Sequence, residues 1–129
     1  VIDLLLDTQA VLWFLQGDPR LSGTAKALIE DPANRKLVSV ATCWEIAIKV
    51  GVGKMNLGEP TRPYLERAIA LNHFELLPIS LEHATAVEGL PTHHKDPFDR
   101  LLIAQAIVEG LPIISADLAF DAYPVRRIW

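Results

Sequence analysis

The segment His93-His94-Lys95-Asp96-Pro97-Phe98-Asp99-Arg100-Leu101-Leu102-Ile103-Ala104-Gln105-Ala106 restricts the fold more than any other part of the chain. Pro97 suits the first turn of a helix, where a missing N–H costs nothing. Asp96, just before it, suits the N-cap. From Leu101 to Val108 the helix is apolar on nearly every side, which predicts a helix buried inside the protein rather than laid along its surface. Asp99 then falls in the first turn of a buried helix. There the helix dipole favours an anion while the aliphatic surroundings make desolvation costly. Read alone, Asp99 does no more than complete the cap begun by Asp96, so a functional reading needs support from the rest of the chain.

A buried helix needs layers on more than one side, and the remaining sequence supplies them. Strands are predicted at Ile2–Leu6, Lys36–Val40, Phe74–Ile79, Ile113–Ser115 and Val125–Trp129. Helices are predicted at Ala10–Leu15, from a Ser22 cap to Glu30, from Thr42 to Gly51, at Pro60–Leu71 and at Leu81–Glu88. Thr42 and Glu45 have the spacing of a capping box, and Gly51 reads as a C-terminal stop. Strands alternating with helices, and strands that are apolar on both faces, predict an α/β fold: a three-layer α/β/α sandwich around a mostly parallel sheet. The 129 residues are expected to form one domain, residues 1–129, with no repeat or linker. With half of the residues apolar, a disordered chain is excluded. The net charge of −4 argues against a protein whose whole surface binds nucleic acid. The one cysteine, Cys43, fits a reduced cytoplasmic setting. No signal peptide and no membrane-spanning run is read.

In an open α/β sheet, ligands bind beyond the carboxyl ends of the strands. Asp7 ends the first strand, Glu45 opens the helix after the second, and Asp117 follows the fourth. Asp99 opens the buried helix before that strand. Each acid has a plain alternative: Asp7 as a helix cap, with Thr8 competing for the task; Glu45 as the partner of Thr42; Asp117 as a turn acid. Four acids at four exits are harder to explain in that way. Carboxylates about 4 Å apart repel by roughly 4 kcal/mol at an effective dielectric near 20. A converged set therefore calls for a cation or for protonation. Hard oxygen donors without cysteine or histidine spacing point to Mg²⁺ or Mn²⁺ rather than zinc. Such a site suits phosphodiester hydrolysis, in which the ion makes water a better nucleophile and stabilises charge on the scissile phosphate.

These blocks resemble the PIN-domain ribonucleases, and among them the VapC-type toxins of prokaryotic toxin–antitoxin pairs. The resemblance is carried by Leu4-Leu5-Leu6-Asp7-Thr8 with Trp13, by Trp44-Glu45-Ile46-Ala47-Ile48-Lys49, and by Asp96 through Ala106. The tail from Ser115-Ala116-Asp117 through Phe120, Tyr123, Pro124 and Val125 to Trp129 also fits. One departure is Ala116, where relatives often carry a basic residue. The resemblance implies a Mg²⁺-dependent endoribonuclease whose acidic quartet is Asp7, Glu45, Asp99 and Asp117. Asp7 and Asp99 would be direct metal ligands, Asp117 would act partly through water, and Glu45 would orient the attacking water. Ser115 would support that shell. A homodimer and a small antitoxin that blocks the site are implied as well.

Around this centre, His93, His94, Lys49, Lys54, Lys95 and Arg100 are candidates for RNA contact, each with an ordinary surface role as its alternative. Trp13, Trp44 and Trp129 read as core or interface anchors, Phe98 as a helix-start or dimer contact, and Cys43 as a small apolar group. Two other functions fit less well. A phospho-acceptor receiver would want an acidic neighbour for Asp7, an acceptor Asp after Pro78-Ile79, and a lysine near Ile113–Asp117. A phosphatase with two Asp one residue apart is disfavoured because Asp3 and Asp7 are too far separated.

Overall fold

The computed structural model describes residues 1–129. Five parallel strands, β1 (Asp3–Leu6), β2 (Arg35–Ser39), β3 (Phe74–Leu77), β4 (Ile113–Ile114) and β5 (Arg127–Ile128), form one sheet in the order β3-β2-β1-β4-β5. The helices are α1 (Thr8–Gln16), α2 (Gly23–Glu30), α3 (Val40–Gly51), α4 (Thr61–Leu71), α5 (Leu81–Ala86) and α6 (Pro97–Glu109). Short 3-10 turns follow at Val87–Gly89 and Leu118–Ala122.

The central strand explains the three layers. Successive side chains of a strand point to opposite faces. Leu4 and Leu6 pack with Ala10 and Val11 of α1, and with Ala25 and Ile29 of α2. Leu5 points the other way, into a second core with Leu102, Ile103 and Ala106 of α6 and with Phe120 and Tyr123. Leu4, Leu5 and Leu6 are all fully buried, as a strand covered on both faces requires. α6 is buried from Leu102 to Ala106, whereas Ile107 is 38% exposed, so the helix is enclosed over its middle and not on every side as the sequence suggests. Within that stretch the Gln105 amide donates to the Pro78 carbonyl and meets the His83 ring of α5. No helix is long and apolar enough to cross a membrane.

Several boundaries differ from the sequence reading, each for a local reason. The helix after β2 is not opened by a Thr42–Glu45 box. Ser39 is the N-cap, its hydroxyl accepting from the Ala41 amide, so α3 begins directly at the strand's end with Val40 inside it. Thr42 and Glu45 are thereby freed for contacts outside the helix. Gly51 lies within α3; the left-handed residue of that turn is Gly53. Asp7 wins the cap of α1, accepting from the Ala10 amide at 2.7 Å, and Thr8 is the first helical residue. Strand β3 stops at Leu77. Ser80 then caps α5 in a reciprocal box with His83, and α5 gives way to a 3-10 turn before Glu88.

β1 pairs with β2 on one side and with β4 on the other, so the chain's progression across the sheet reverses between β1 and β4. That reversal leaves a crevice at their carboxyl ends. The Asp7 amide donates to the Ile114 carbonyl at 3.1 Å, and the Ser115 amide to the Ile128 carbonyl at 3.2 Å, which pins both strand exits beside it. Asp96 caps α6 through the amides of Phe98 and Asp99, and Gly110 ends the helix at φ +65°. A Cβ at Gly110 would meet nothing, so Gly110→Ala tests backbone strain alone. It is expected to cost about 1 kcal/mol in chemical denaturation, with the urea dependence of the transition unchanged.

Candidate active site

The four acids singled out in the sequence line one cleft of about 390 Å³ at the switch between β1 and β4. Asp7 arrives from the end of β1, Glu45 from the second turn of α3, Asp99 from the first turn of α6 and Asp117 from just beyond β4. Asp96 joins them, so five carboxylates face a cleft with one ammonium group, that of Lys49. Gln9 lies on the same wall. The sequence reading missed it because a polar residue in the first turn of a helix carries no signal of its own.

Each acid is held by a donor. Asp7 accepts from the Ala10 amide. Glu45 accepts from the Thr8 hydroxyl at 2.8 Å and meets Lys49 Nζ at 3.2 Å. The Thr8 and Thr42 hydroxyls lie 3.1 Å apart, both buried, so Thr42 serves the site from inside α3. Asp117 accepts from the Ala119 amide at 2.9 Å, and its own amide donates to the Ser115 hydroxyl at 3.0 Å. Asp99 meets the His94 ring: Nε2 lies 3.1 Å from Asp99 Oδ2 and 2.9 Å from Asp117 Oδ2.

Burial and crowding make two of these carboxyls hard to ionise. Burial raises the pKa of Asp7 from its ordinary 3.8 to about 6; the Ser115 hydroxyl and the Ala10 amide oppose the rise, and the charges of Asp117 and Glu45 add to it. Burial also raises that of Asp99, to about 7, with Asp96, Asp7 and Glu45 pushing the same way and His94 opposing. A site whose carboxyls resist ionisation in the absence of a cation is one that a divalent ion would complete. The donors are mainly oxygens, as a hard ion requires. His94, Asp99 and Asp117 also bring ligand atoms within 4.8 Å of one another, close enough to hold a single divalent ion.

The basic candidates divide. Lys49 lines the cleft, whereas Lys54 and Lys95 are exposed and do not. The guanidinium of Arg100 is occupied within the preceding loop, donating to the carbonyls of Val87, Leu90, Pro91 and His94. It is thus a loop tie, with its hydrogen-bonding edges turned toward protein carbonyls. His93 is exposed and meets Tyr123 edge-on at 5.6 Å. Trp13 packs against Trp129 at 5.8 Å, but Trp44 is 56% exposed and touches Phe98 at 5.1 Å. Cys43 is half-buried, and burial pushes its thiol pKa up, as for an apolar group rather than a nucleophile.

A parallel sheet that gathers carboxylates at its switch point, with helices on both faces, is the build of a PIN-type nuclease fold. The chain belongs to the PIN-domain family, whose model matches residues 4–125. It is 34% identical over 70 residues to ribonuclease VapC16 of Mycobacterium tuberculosis, a match covering 51% of this chain and 48% of the relative. The match thus spans about half the length of that curated relative. In fold it is similar to the structure of VapBC2 from Rickettsia felis bound to a promoter DNA fragment, with a TM-score of 0.73, 18% identity and 98% of each chain covered. DNA-bound VapBC from Salmonella typhimurium gives a TM-score of 0.67 at 19% identity, covering 99% of this chain and 98% of that one.

The raised carboxyls fix the sign of a pH effect. Asp7 and Asp99 hold protons more tightly in the folded protein than in the unfolded chain. Their favourable contribution is therefore complete below about pH 4 and is lost as the pH rises through about 6 and 7. In metal-free buffer Asp99→Asn is expected to match the wild type in stability near pH 4 and to exceed it by about 2 kcal/mol near pH 8, roughly half the unscreened value because the carboxyl is partly open to solvent. Calorimetry across that range checks this; parallel pH profiles for the two proteins would contradict it.

Proposed function

We propose that this chain is a divalent-metal-dependent endoribonuclease that acts as the toxin of a toxin–antitoxin pair. The observation that carries the reading is the convergence of Asp7, Glu45, Asp99 and Asp117 on one cleft. Membership of the PIN family and the partial match to a ribonuclease agree with it.

Asp7 and Asp99 would hold Mg²⁺ or Mn²⁺ directly, with Asp117 contributing partly through water and Ser115 supporting the shell. The bound ion would supply activation of water and neutralisation of charge on the scissile phosphate. Glu45, fixed by Thr8 and Lys49, orients the attacking water and takes up its proton. The water oxygen ends on phosphorus, the P–O bond of the RNA backbone breaks, and a proton reaches the leaving oxygen. Lys49 is the cation best placed to touch a phosphate at the cleft. Lys54, Lys95 and His93 would meet the RNA only outside the cleft.

Partners follow the same reading. The relatives of similar fold are described as VapBC complexes, which supports a small antitoxin as this chain's partner. A second copy of the chain is assigned to the exposed apolar stripe of α3: Trp44 at 56% exposure, Ile48 at 40% and, at the helix end, Val52 at 63%, with Phe98 beside it. With an RNA substrate and an antitoxin as its partners, the protein would act in the cytoplasm.

Cleavage of structured RNA in Mg²⁺ tests the activity. EDTA is expected to abolish it. Asp7→Asn and Asp99→Asn are each expected to lose more than the roughly 10–100-fold that removal of an outer-shell partner costs. Cleavage that survives all three changes would refute the assignment. Light scattering on Trp44→Glu checks the dimer: a wild-type dimer should become a monomer, and an unchanged mass would place the second copy elsewhere.

A further inference from the structure

His94 stands apart from the acids because both of its ring nitrogens are engaged. Nε2 lies 2.9 Å from Asp117 Oδ2 and 3.1 Å from Asp99 Oδ2. Nδ1 accepts from the Asp96 amide at 3.2 Å. A backbone amide only donates, so Nδ1 carries a lone pair and the ring hydrogen sits on Nε2. That hydrogen is shared with Asp117 Oδ2 in a hydrogen bond, and Asp99 Oδ2 lies beside it at contact distance, 3.1 Å from Nε2. While the Asp96 amide holds Nδ1, Nε2 has no lone pair to offer an ion. Spacing alone would make His94 a third ligand with Asp99 and Asp117. The hydrogen bonds make it a donor instead.

The loop around it keeps the ring in that state. The His94 amide donates to the Tyr123 hydroxyl at 2.8 Å, and that hydroxyl donates to the Pro91 carbonyl at 2.7 Å. Arg100 ties the Pro91 and His94 carbonyls. Phe120 meets the imidazole edge-on at 5.7 Å. Moving the ring hydrogen to Nδ1 would set it against the Asp96 N–H, donor facing donor.

We propose that His94 is a positioning residue: its Nε2–H, fixed by the Asp96 amide, bonds Asp117 and keeps it beside Asp99, and it would remain a hydrogen-bond donor rather than a ligand when a divalent ion is bound. The inference rests on the metal-nuclease reading above. Without that donor the Asp117 side chain, already 42% exposed, keeps its cap bond to the Ala119 amide but loses the contact that aims its second oxygen at Asp99. Because His94 would act on the ion only through the carboxylates it positions, its loss is expected to weaken Mg²⁺ and Mn²⁺ equally. An imidazole ligand would instead favour Mn²⁺ over Mg²⁺.

The test uses the full chain as wild type, His94→Ala, His94→Gln and Asp99→Asn. Dissociation constants for Mg²⁺ and Mn²⁺ come from calorimetric titration, and the ring tautomer from ¹⁵N spectra of wild-type His94 with and without Mg²⁺. His94→Ala is expected to weaken both ions by the same factor, about tenfold. His94→Gln, whose amide can donate from near the Nε2 position, should recover most of the loss. The Nε2–H form should persist in Mg²⁺. A loss for Mn²⁺ ten times that for Mg²⁺, a ring hydrogen that moves to Nδ1, or unchanged or tighter binding in His94→Ala would each overturn the proposal. The ring spectrum and His94→Gln decide the matter should His94→Ala not fold. Absence of ion binding in the wild type, or binding that Asp99→Asn leaves untouched, would instead defeat the metal-nuclease reading itself.

Discussion

Like charges brought together at the exits of β1 and β4 are the constraint on which the structure turns. Five carboxylates share a cleft with one lysine, and two of them lie at the start of a helix whose middle is buried among aliphatic side chains. Left alone, such groups would spread apart or take up protons. They stay together because the elements beneath them cannot move: β1 is enclosed on both faces, and the Asp7 amide is bonded to β4 itself. The stability of the two cores thus opposes the repulsion at the rim. In a site of this kind, part of the folding free energy is held as electrostatic repulsion that a bound cation would relieve.

Capping and site building turn out to be the same act in this fold. Asp7 caps α1, and Asp117 caps the 3-10 turn that follows β4, yet both face the cleft. A cap aligns a carboxylate with a backbone amide, and that contact limits its rotation. At these positions a structural role therefore does not exclude a functional one, since the cap itself aims the carboxylate at the cleft. Glu45 and Asp99 lack such amide partners and rely on side chains instead, Thr8 and Lys49 for the one and His94 for the other.

How far the sequence could be read depended on whether a feature was local. The Asp96-Pro97 start of α6, its Gly110 end and the Ser22 cap of α2 are set by neighbours in the chain, and they were legible. The acids were legible because strand exits and helix starts can be located from hydrophobic runs. Strands β4 and β5 are two residues long each and exist through pairing with β1 and with each other, so their limits could not be read from the apolar runs around them. The cap of α3 was misplaced by three residues because Thr42 and Glu45 imitate a box, while Ser39 is hidden at the end of a strand. Arg100 looked like a free cation, since nothing local announces four carbonyls gathered around it. His94 was legible as a polar residue near the site, but its two-sided role needs Asp96 behind it and Asp117 in front, and only the fold brings those together.

The phenol of Tyr123 gives the segment after the fourth strand a hold on the cleft. Residues after Asp117 add no acid to it, yet Tyr123 clasps the loop that presents His94, and Phe120 rests against the ring. A shortened homologue could keep every carboxylate and still lack the wall that faces them. Counting acids in an alignment would then overstate kinship, and an aromatic hydroxyl in the segment after the fourth strand would be the better marker of an intact acidic cleft.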